Sequence, residues 1–254
     1  MKCLEGGVKM WQWPFHIEYS ETKIDLKENT KKFIEMFSEF VEEANNESIR
    51  KTIKFLTNSI QGELMVKSFY NNRNYREYTR SITASLLLDL QNEEFQECDR
   101  ILDAAQTPII SCIWDINRIK DNICSIGSCN DNLFDGEKYS WNIEAYLIEP
   151  LGLVIVENGN HSVNAALVHG EGKIIAKNKI DISPCLERYQ FNGEDYINIG
   201  TGEKIKCPYL IQNSKPFTYI LGLLFEIARI LKEKQSDKYN KLINFPTSKT
   251  GINS

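Results

Sequence analysis

The sequence has few histidines, no long apolar run and none of the common nucleotide-binding loops. Its three histidines, His16, His161 and His169, are too far apart along the chain for an i, i+4 metal pair. No apolar run approaches the roughly 20 residues of a membrane-spanning helix, and residues 1–20 lack the apolar segment of a signal peptide. No Walker loop and no Gly-x-Gly-x-x-Gly motif is present. These absences predict a cytoplasmic protein without a membrane span.

The net charge and the cysteine content further narrow the functional classes that the sequence allows. The net charge is −5 with acids and bases interspersed, so a dedicated nucleic-acid binder with a long basic stripe is not indicated, while a local basic pocket stays open. The seven cysteines are scattered and odd in number, which predicts free thiols. Cys124 and Cys129 lie five residues apart, but no second pair or nearby histidine completes a zinc site. No metal site is therefore predicted.

Residues 25–107 show the periodicity of amphipathic helices, with apolar residues at i, i+3, i+4 and i+7. The predicted helices run from Asp25 to about Asn45, from Glu47 to Asn72, from Asn74 to Gln91 and from Glu93 to Ala105. Asp25 is predicted to cap the first of them. Residues 1–24, which include Trp11 and Trp13, are predicted to form an aromatic arm that packs on the protein's own core or on a partner subunit.

The pattern changes to strands at Pro108. Apolar segments rich in β-branched residues predict strands within 108–116, 142–158 and 172–182. Turn signals within 188–208 predict a small meander, residues 215–235 predict a long helix, and residues 237–254 predict a weakly ordered tail. The expected fold class is therefore α+β: an N-terminal helical region, then a mixed α/β domain over 108–236 with a long C-terminal helix.

The stretch Glu-Asn-Gly-Asn-His-Ser, residues 157–162, lies between an apolar run and a short helical pattern. Gly159 can adopt the positive φ of a tight turn, and Asn160 is the predicted N-cap of a helix that begins near His161 and ends at Gly170. Such a turn leaves the first N–H groups of the helix without intrahelical partners, which favours anions and above all phosphate. A polar turn without a ligand would use the same residues, so both interpretations remain open.

Binding sites of open α/β folds lie just beyond the carboxyl ends of buried strands, which makes these polar residues candidates for a site. His161 could donate to a phosphate oxygen, and Glu157 and Asn158 could bind a metal or a hydroxyl group. The predicted catalytic residues are His161 and Glu157. The predicted ligand-binding residues are Asn158, Gly159, Asn160, His161, Ser162 and Asn164.

The block VIVENGNHSVNAALVHGEG, residues 154–172, resembles the ParB/sulfiredoxin superfamily. That superfamily has a strand, a turn of the type Gly-x-His-Arg or Gly-x-Arg-Arg, and a helix that opens with small residues. Gly159, Asn160 and His161 match the turn, and Ala165-Ala166 match the helix. The resemblance covers about residues 108–182 and implies a ParB/sulfiredoxin-like mixed sheet whose turn and helix N-terminus hold a nucleotide phosphate.

The sequence departs from the superfamily at Ser162, where an arginine is usual. The cation that would pair with phosphate must then come from another part of the chain. Arg118, Lys173 and Arg188 are the candidates.

Two functions follow, from different classes. The first, implied by the resemblance, is a nucleotide- or phosphate-binding protein with phosphohydrolase or nuclease-like activity, whose ligand is a nucleotide with Mg²⁺. The second is a non-catalytic interaction module of a phage or mobile genetic element, which holds a protein partner or a second copy of the chain through a degenerate site. A similar Asn-Gly-Asn-His-Ser stretch occurs in uncharacterised bacterial and phage proteins. Retention of Gly159, Asn160 and His161 favours the first function, and loss of the usual arginine at Ser162 favours the second.

Overall fold

A computed structural model describes residues 25–70, 82–83, 85–88, 95–205 and 215–234. The helices are α1 (Leu26–Glu43), α2 (Asn46–Tyr70), α3 (Ile116–Ser125), α4 (Asn160–His169), α5 (Ser183–Arg188) and α6 (Lys215–Glu233), and the strands are β1 (Phe95–Asp103), β2 (Ile109–Ser111), β3 (Glu144–Glu149), β4 (Leu153–Asn158), β5 (Lys173–Asp181), β6 (Tyr189–Phe191), β7 (Tyr196–Asn198) and β8 (Lys204–Ile205). The predicted aromatic arm at 1–24 and the predicted tail at 237–254 lie outside the described residues.

The first two predicted helices are confirmed as α1 and α2. The Asp25 side chain accepts hydrogen bonds from the backbone N–H groups of Lys27 and Glu28, both at 3.1 Å, so Asp25 caps α1 as predicted. The predicted apolar face of α1 is buried at Phe37 and Val41. In α2 the corresponding buried residues are Ile49, Ile53, Ile60 and Leu64. In the third predicted helix, described only at 82–83 and 85–88, Ile82 and Leu86 are fully buried.

The main sheet is mixed and five-stranded, in the order β1-β5-β3-β4-β2. β2 pairs with β4 in parallel and β3 pairs with β5 in parallel, while β3 and β4 are antiparallel. The strands β6, β7 and β8 form the predicted meander as a separate three-stranded sheet. The α+β class is confirmed, with N-terminal helices, mixed strands and the C-terminal helix α6.

The two faces of the main sheet carry different helices. On one face, Leu153 and Ile155 of β4 pack in a core with residues of α1, α2 and α6. On the other face, Val154 and Val156 pack with Val163 of α4. Because side chains alternate along a strand, β4 is buried on both sides, which explains its continuous apolar sequence.

The fourth predicted helix, Glu93–Ala105, is wrong. Residues Phe95–Asp103 form β1, which pairs antiparallel with β5 and carries a bulge between Glu97 and Arg100. The segment is rich in Glu, Gln, Leu and Ala, which favour helices locally, but pairing with β5 overrides that preference. The sheet therefore begins within the region 25–107 that was expected to be helical.

The segment after Pro108 also differs from the prediction. Only Ile109–Ser111 form the strand β2, and the chain then enters the helix α3 at Ile116. Asp115 caps this helix by accepting from the N–H groups of Asn117 and Arg118, at 2.9 Å and 3.2 Å. Two strands of the sheet, β2 and β4, are thus each followed by a short turn and a helix.

The predicted order of strand, turn, helix and strand around Gly159 is confirmed. The chain runs from β4 through Gly159, with φ of 82°, into α4 and then into β5.

The cysteines Cys98, Cys112, Cys124, Cys129 and Cys185 are free, while Cys3 and Cys207 lie outside the described residues. Within the described residues, no helix combines the length and apolar character that a membrane crossing requires.

Candidate functional site

The site is built where β2 and β4 end. These strands are parallel, with Ser111 opposite Val156, so they end at the same edge of the sheet. The helices α3 and α4 start just beyond that edge and run side by side in the same direction. Asp115, the cap of α3, contacts His161 in the first turn of α4, and near their carboxyl ends Ile123 contacts His169. The N-termini of two helices therefore lie next to each other.

His161 is buried between these helix starts, with 6% of its surface exposed. Its Nε2 accepts a hydrogen bond from the backbone N–H of Asp115 at 3.1 Å. A ring nitrogen that accepts must be unprotonated, so this bond requires the imidazole with its proton on Nδ1. The ring also packs against Trp114, with 4.6 Å between centroids and a 75° angle between the planes. His161 thus joins α4 to the start of α3.

Two further hydrogen bonds join the same helices, and a third joins the segments that follow them. The Asn122 amide donates to the Ser162 hydroxyl at 3.3 Å. His169 Nε2 donates to the Ile123 carbonyl at 2.9 Å, and Glu171 accepts from the N–H of Ser128 at 2.6 Å. This last bond is the main reason that the pKa of Glu171 is lowered. The parallel arrangement is therefore fixed at both ends.

A cavity of about 200 Å³ opens between the two helix starts. Its lining comes from α3 and the segment that precedes it, from the end of β4, from the turn that precedes β3, and from the first turn of α4. The lining residues are Trp114, Arg118, Asn122, Asn142, Asn158, Gly159, Asn160, His161 and Ser162.

The electrostatic character of the cavity is positive and polar. Arg118 lines it, with the guanidinium carbon 4.9 Å from the centre of the Trp114 ring. No carboxylate occurs among the described residues that line it. The nearby Asp115 carboxylate is engaged by the N–H group of Arg118, the main cause of its lowered pKa, and by that of Asn117. The N-terminal end of α4, which no side chain caps, adds the positive end of its dipole, whereas the Asp115 carboxylate offsets that of α3.

Gly159 brings a neighbouring loop close to the turn. Its φ of 82° is in the left-handed region, and a Cβ atom there would lie 3.0 Å from the carbonyl oxygen of Asn142. Glycine is therefore required both by the backbone conformation and by the approach of Asn142. This contact places Asn142 at the rim of the cavity.

A buried network of polar side chains lies beneath the cavity. Ser111 Oγ donates to the Asn160 side-chain oxygen at 2.8 Å, and the Asn164 amide donates to Ser111 Oγ at 2.9 Å. The Gln61 amide donates to the Asn164 side-chain oxygen at 2.6 Å. All four side chains are buried, and their bonds hold α4 against β2 and α2.

Gln61 also completes the edge of the sheet. β2 is an edge strand, and its backbone at Ser111 bonds twice to the Gln61 amide: Ser111 N–H donates to Gln61 Oε1 at 2.8 Å, and Gln61 Nε2 donates to the Ser111 carbonyl at 3.0 Å. The side-chain amide thus pairs as a neighbouring strand would.

The predicted ligand-binding residues divide between the cavity and the network. Asn158, Gly159, His161 and Ser162 line the cavity, whereas Asn164 is fully buried in the network and does not line it. Asn160 lines the cavity, but its side chain accepts from Ser111 and from the N–H of Cys112. The prediction of Asn160 as N-cap is wrong, because Gly159 occupies the cap position and α4 begins at Asn160.

Glu157 is not brought together with His161. It is half-buried and is not among the residues that line the cavity. Alternation along β4 places Glu157 on the face of Leu153 and Ile155, away from α4. The structure therefore does not bring the two predicted catalytic residues into one cavity.

The cavity residues that the turn motif does not contain come mainly from the second strand-to-helix connection. Trp114, Arg118 and Asn122 lie on or next to α3. The available signal was the strand at Ile109–Ser111 followed by the capping residue Asp115, which repeats the strand–turn–helix pattern of β4 and α4. Of the three predicted substitute cations, only Arg118 lines the cavity, because Lys173 lies at the start of β5 and Arg188 lies beside Tyr189.

A second cavity, of about 270 Å³, lies between α2, the end of β1 and the carboxyl end of α4. Lys54 lines it and donates to the Thr107 carbonyl at 2.8 Å, and partial burial lowers the pKa of Lys54. The apolar residues Met65, Leu167 and Val168 also line it. Among the described residues, no group of three or more His, Cys, Asp or Glu side chains is placed to hold a metal ion.

Comparison with known protein families gives one match. A family described as of unknown function (DUF6710) matches residues 16–238. No curated protein and no solved structure matches the chain significantly.

Proposed function

We propose that the cavity between the starts of α3 and α4 binds a ligand that carries a phosphate group. The chain belongs to the family of unknown function DUF6710. One observation carries the proposal: the start of α4, which no side chain caps, and Arg118 line a single cavity with no carboxylate among its described lining residues. Backbone N–H groups at helix starts and an arginine are the groups that proteins use to hold phosphate oxygens.

The turn at Gly159 aims the first N–H groups of α4 at the ligand. In this proposal the N–H groups of His161 and Ser162 donate to phosphate oxygens, and Arg118 contributes the positive charge that the ParB/sulfiredoxin resemblance assigns to the position of Ser162. His161 acts as a positioning residue, because its Nε2 is engaged by Asp115. It sets the spacing between the two helix starts.

The proposal is for binding rather than for hydrolysis. Hydrolysis by the predicted pair would need Glu157 and His161 to reach the same ligand. Glu157 lies on the opposite face of β4, and His161 Nε2 is engaged. Because the lining offers no carboxylate for a divalent cation, binding is expected to be independent of Mg²⁺.

A second candidate function is the non-catalytic interaction module. It is favoured by the exposure of Trp141, with 79% of its surface accessible, beside the cavity residue Asn142. Tyr139, 39% exposed, lies in the same loop. Exposed aromatic side chains are common in protein interfaces. A chain that binds no phosphate-bearing compound but pairs through Trp141 would support this candidate.

The test is calorimetric titration of the whole chain with inorganic phosphate and pyrophosphate, with and without Mg²⁺. Arg118→Met should weaken binding by about tenfold, at the low end of the roughly 1.5–3 kcal/mol that a hydrogen bond to a charged group contributes, because Arg118 is exposed to solvent. Lys120→Met is the matched control, since Lys120 is an exposed cation on the same helix that does not line the cavity. Equal loss in both variants, or no saturable binding by the wild-type chain, would contradict the proposal.

A further inference from the structure

We infer that the cavity recognises the sugar-phosphate part of its ligand and leaves any base outside. The inference rests on the proposed function and specifies which class of phosphate compound the site takes. Three observations support it: the contacts that the Trp114 indole ring already makes, the neutral hydrogen-bonding side chains of the lining, and the size of the cavity.

The Trp114 indole ring, an aromatic surface of the cavity, already contacts two other side chains. Trp114 is the lining residue best suited to stack on a base, but the Arg118 guanidinium lies over its ring at 4.9 Å. The His161 ring packs against the same indole at 4.6 Å. A base could stack on the ring face covered by Arg118 only by displacing the cation that a phosphate needs. Stacking and phosphate binding therefore compete.

Neutral hydrogen-bonding groups fill the rest of the lining. Asn122 comes from α3, Asn142 from the turn before β3, Asn158 from the end of β4, and Ser162 from α4. Each side chain can both donate and accept, as the hydroxyl groups of a sugar do. Within the described part of the chain, the side-chain amides of Asn142 and Asn158 have no hydrogen-bond partner. They are available to a ligand without breaking a contact of the fold.

The size of the cavity agrees with a small polar ligand. Pockets that enclose drug-sized compounds measure roughly 300–1,000 Å³, and this cavity measures about 200 Å³. A phosphate group with a five-carbon sugar needs less room than a complete nucleotide. The ligand class that fits both the lining and the volume is a phosphomonoester of a sugar or polyol.

The experiment compares four probes by calorimetric titration of the whole chain: inorganic phosphate, ribose 5-phosphate, AMP and adenosine. Ribose 5-phosphate should bind about tenfold tighter than phosphate, because it adds two or three neutral hydrogen bonds. AMP should bind within about threefold of ribose 5-phosphate, and adenosine should not bind. Asn158→Ala should reduce the affinity for ribose 5-phosphate several-fold and leave that for phosphate unchanged, whereas the control Asn117→Ala, an exposed residue of α3 outside the lining, should change neither.

The outcomes separate the inference from the function on which it rests. AMP that binds more than about threefold tighter than ribose 5-phosphate would overturn the inference while the phosphate site stands. Equal affinities for phosphate and ribose 5-phosphate would also overturn it. If none of the three phosphate compounds binds, the proposed function itself fails.

Discussion

Two polar regions share one turn of this protein, and they differ in where their hydrogen bonds go. Below the turn, Ser111, Asn160, Asn164 and Gln61 are buried and bond to one another. Above the turn, Asn158 and Ser162 line a cavity with Arg118. The same residue type, asparagine, therefore has a structural place at 160 and 164 and a place open to a ligand at 158. A dense polar motif after a buried strand can hold a helix in position and offer a site at once.

The two regions differ in whether their polar side chains already have hydrogen-bond partners within the protein. A buried amide costs free energy unless its donors and acceptors are paired, so the network has to be complete for the fold to be stable. An amide at a cavity rim is hydrated and can exchange water for ligand at little cost. Loss of a network residue should therefore reduce stability, and loss of a rim residue should reduce the affinity for a ligand that contacts that residue.

The largest effect is expected from Asn164→Ala. The substitution removes partners of Gln61, of Ser111 and of the Asn160 carbonyl, all of which are buried. The free energy of unfolding should fall by roughly 2–4 kcal/mol, as measured by urea denaturation. Asn158→Ala, at an exposed position of the same turn, should change it by less than about 0.5 kcal/mol. Similar losses in the two variants would remove the distinction between network and cavity.

A smaller effect is expected from Gly159→Ala compared with Gly170→Ala. Both glycines have positive φ, 82° and 66°, so alanine is strained in both, by about 1–2 kcal/mol. Only at Gly159 would the added Cβ also lie 3.0 Å from the Asn142 carbonyl oxygen, while nothing lies within 4 Å at Gly170. Gly159→Ala should therefore destabilise the protein more and also weaken phosphate binding. A larger loss for Gly170→Ala in thermal unfolding would show that Asn142 does not approach the turn closely.

The smallest effect is expected for the pH dependence of stability, through the carboxylate of Asp115. Its pKa lies below the ordinary value of 3.8, mainly because the Arg118 N–H donates to the carboxylate. A carboxylate with a lowered pKa in the folded state contributes stability that is present above the ordinary pKa and is lost as pH falls through the lowered one. Wild type should therefore be more stable than Asp115→Asn near neutral pH, and the difference should shrink below about pH 4. Unfolding in urea over a pH series checks this, and a constant difference would argue against a charged cap on α3.

Much of the fold could be predicted because local pattern and final structure agree there. The apolar face of α1, the cap at Asp25 and the order of β4, α4 and β5 follow from periodicity and turn chemistry. β1 could not be predicted, since its residues favour a helix and only pairing with the distant β5 makes them a strand. The helical region and the sheet therefore overlap in sequence.

Only part of the candidate site could be predicted from the sequence, because the rest depends on how distant strands are arranged in the sheet. Gly159, His161 and Ser162 lie within four consecutive positions, and the local sequence predicts a turn that precedes a helix there. Arg118, by contrast, reaches the cavity because β2 and β4 are neighbours in the sheet, and no local pattern reports strand order. The direction of Glu157 depends on which face of β4 carries α4, which the continuous apolar run of that strand does not indicate.

The central claim is that phosphate binds at the starts of α3 and α4. The most direct measurement is a titration of the ¹⁵N-labelled chain with inorganic phosphate, followed by the backbone amide signals in NMR spectra. Saturable shifts are expected for the amides of His161 and Ser162 and for the side-chain N–H of Arg118, with little change at Lys54 and Val168 of the second cavity. Unchanged signals at His161 and Ser162, or shifts centred on Lys54, would contradict the account.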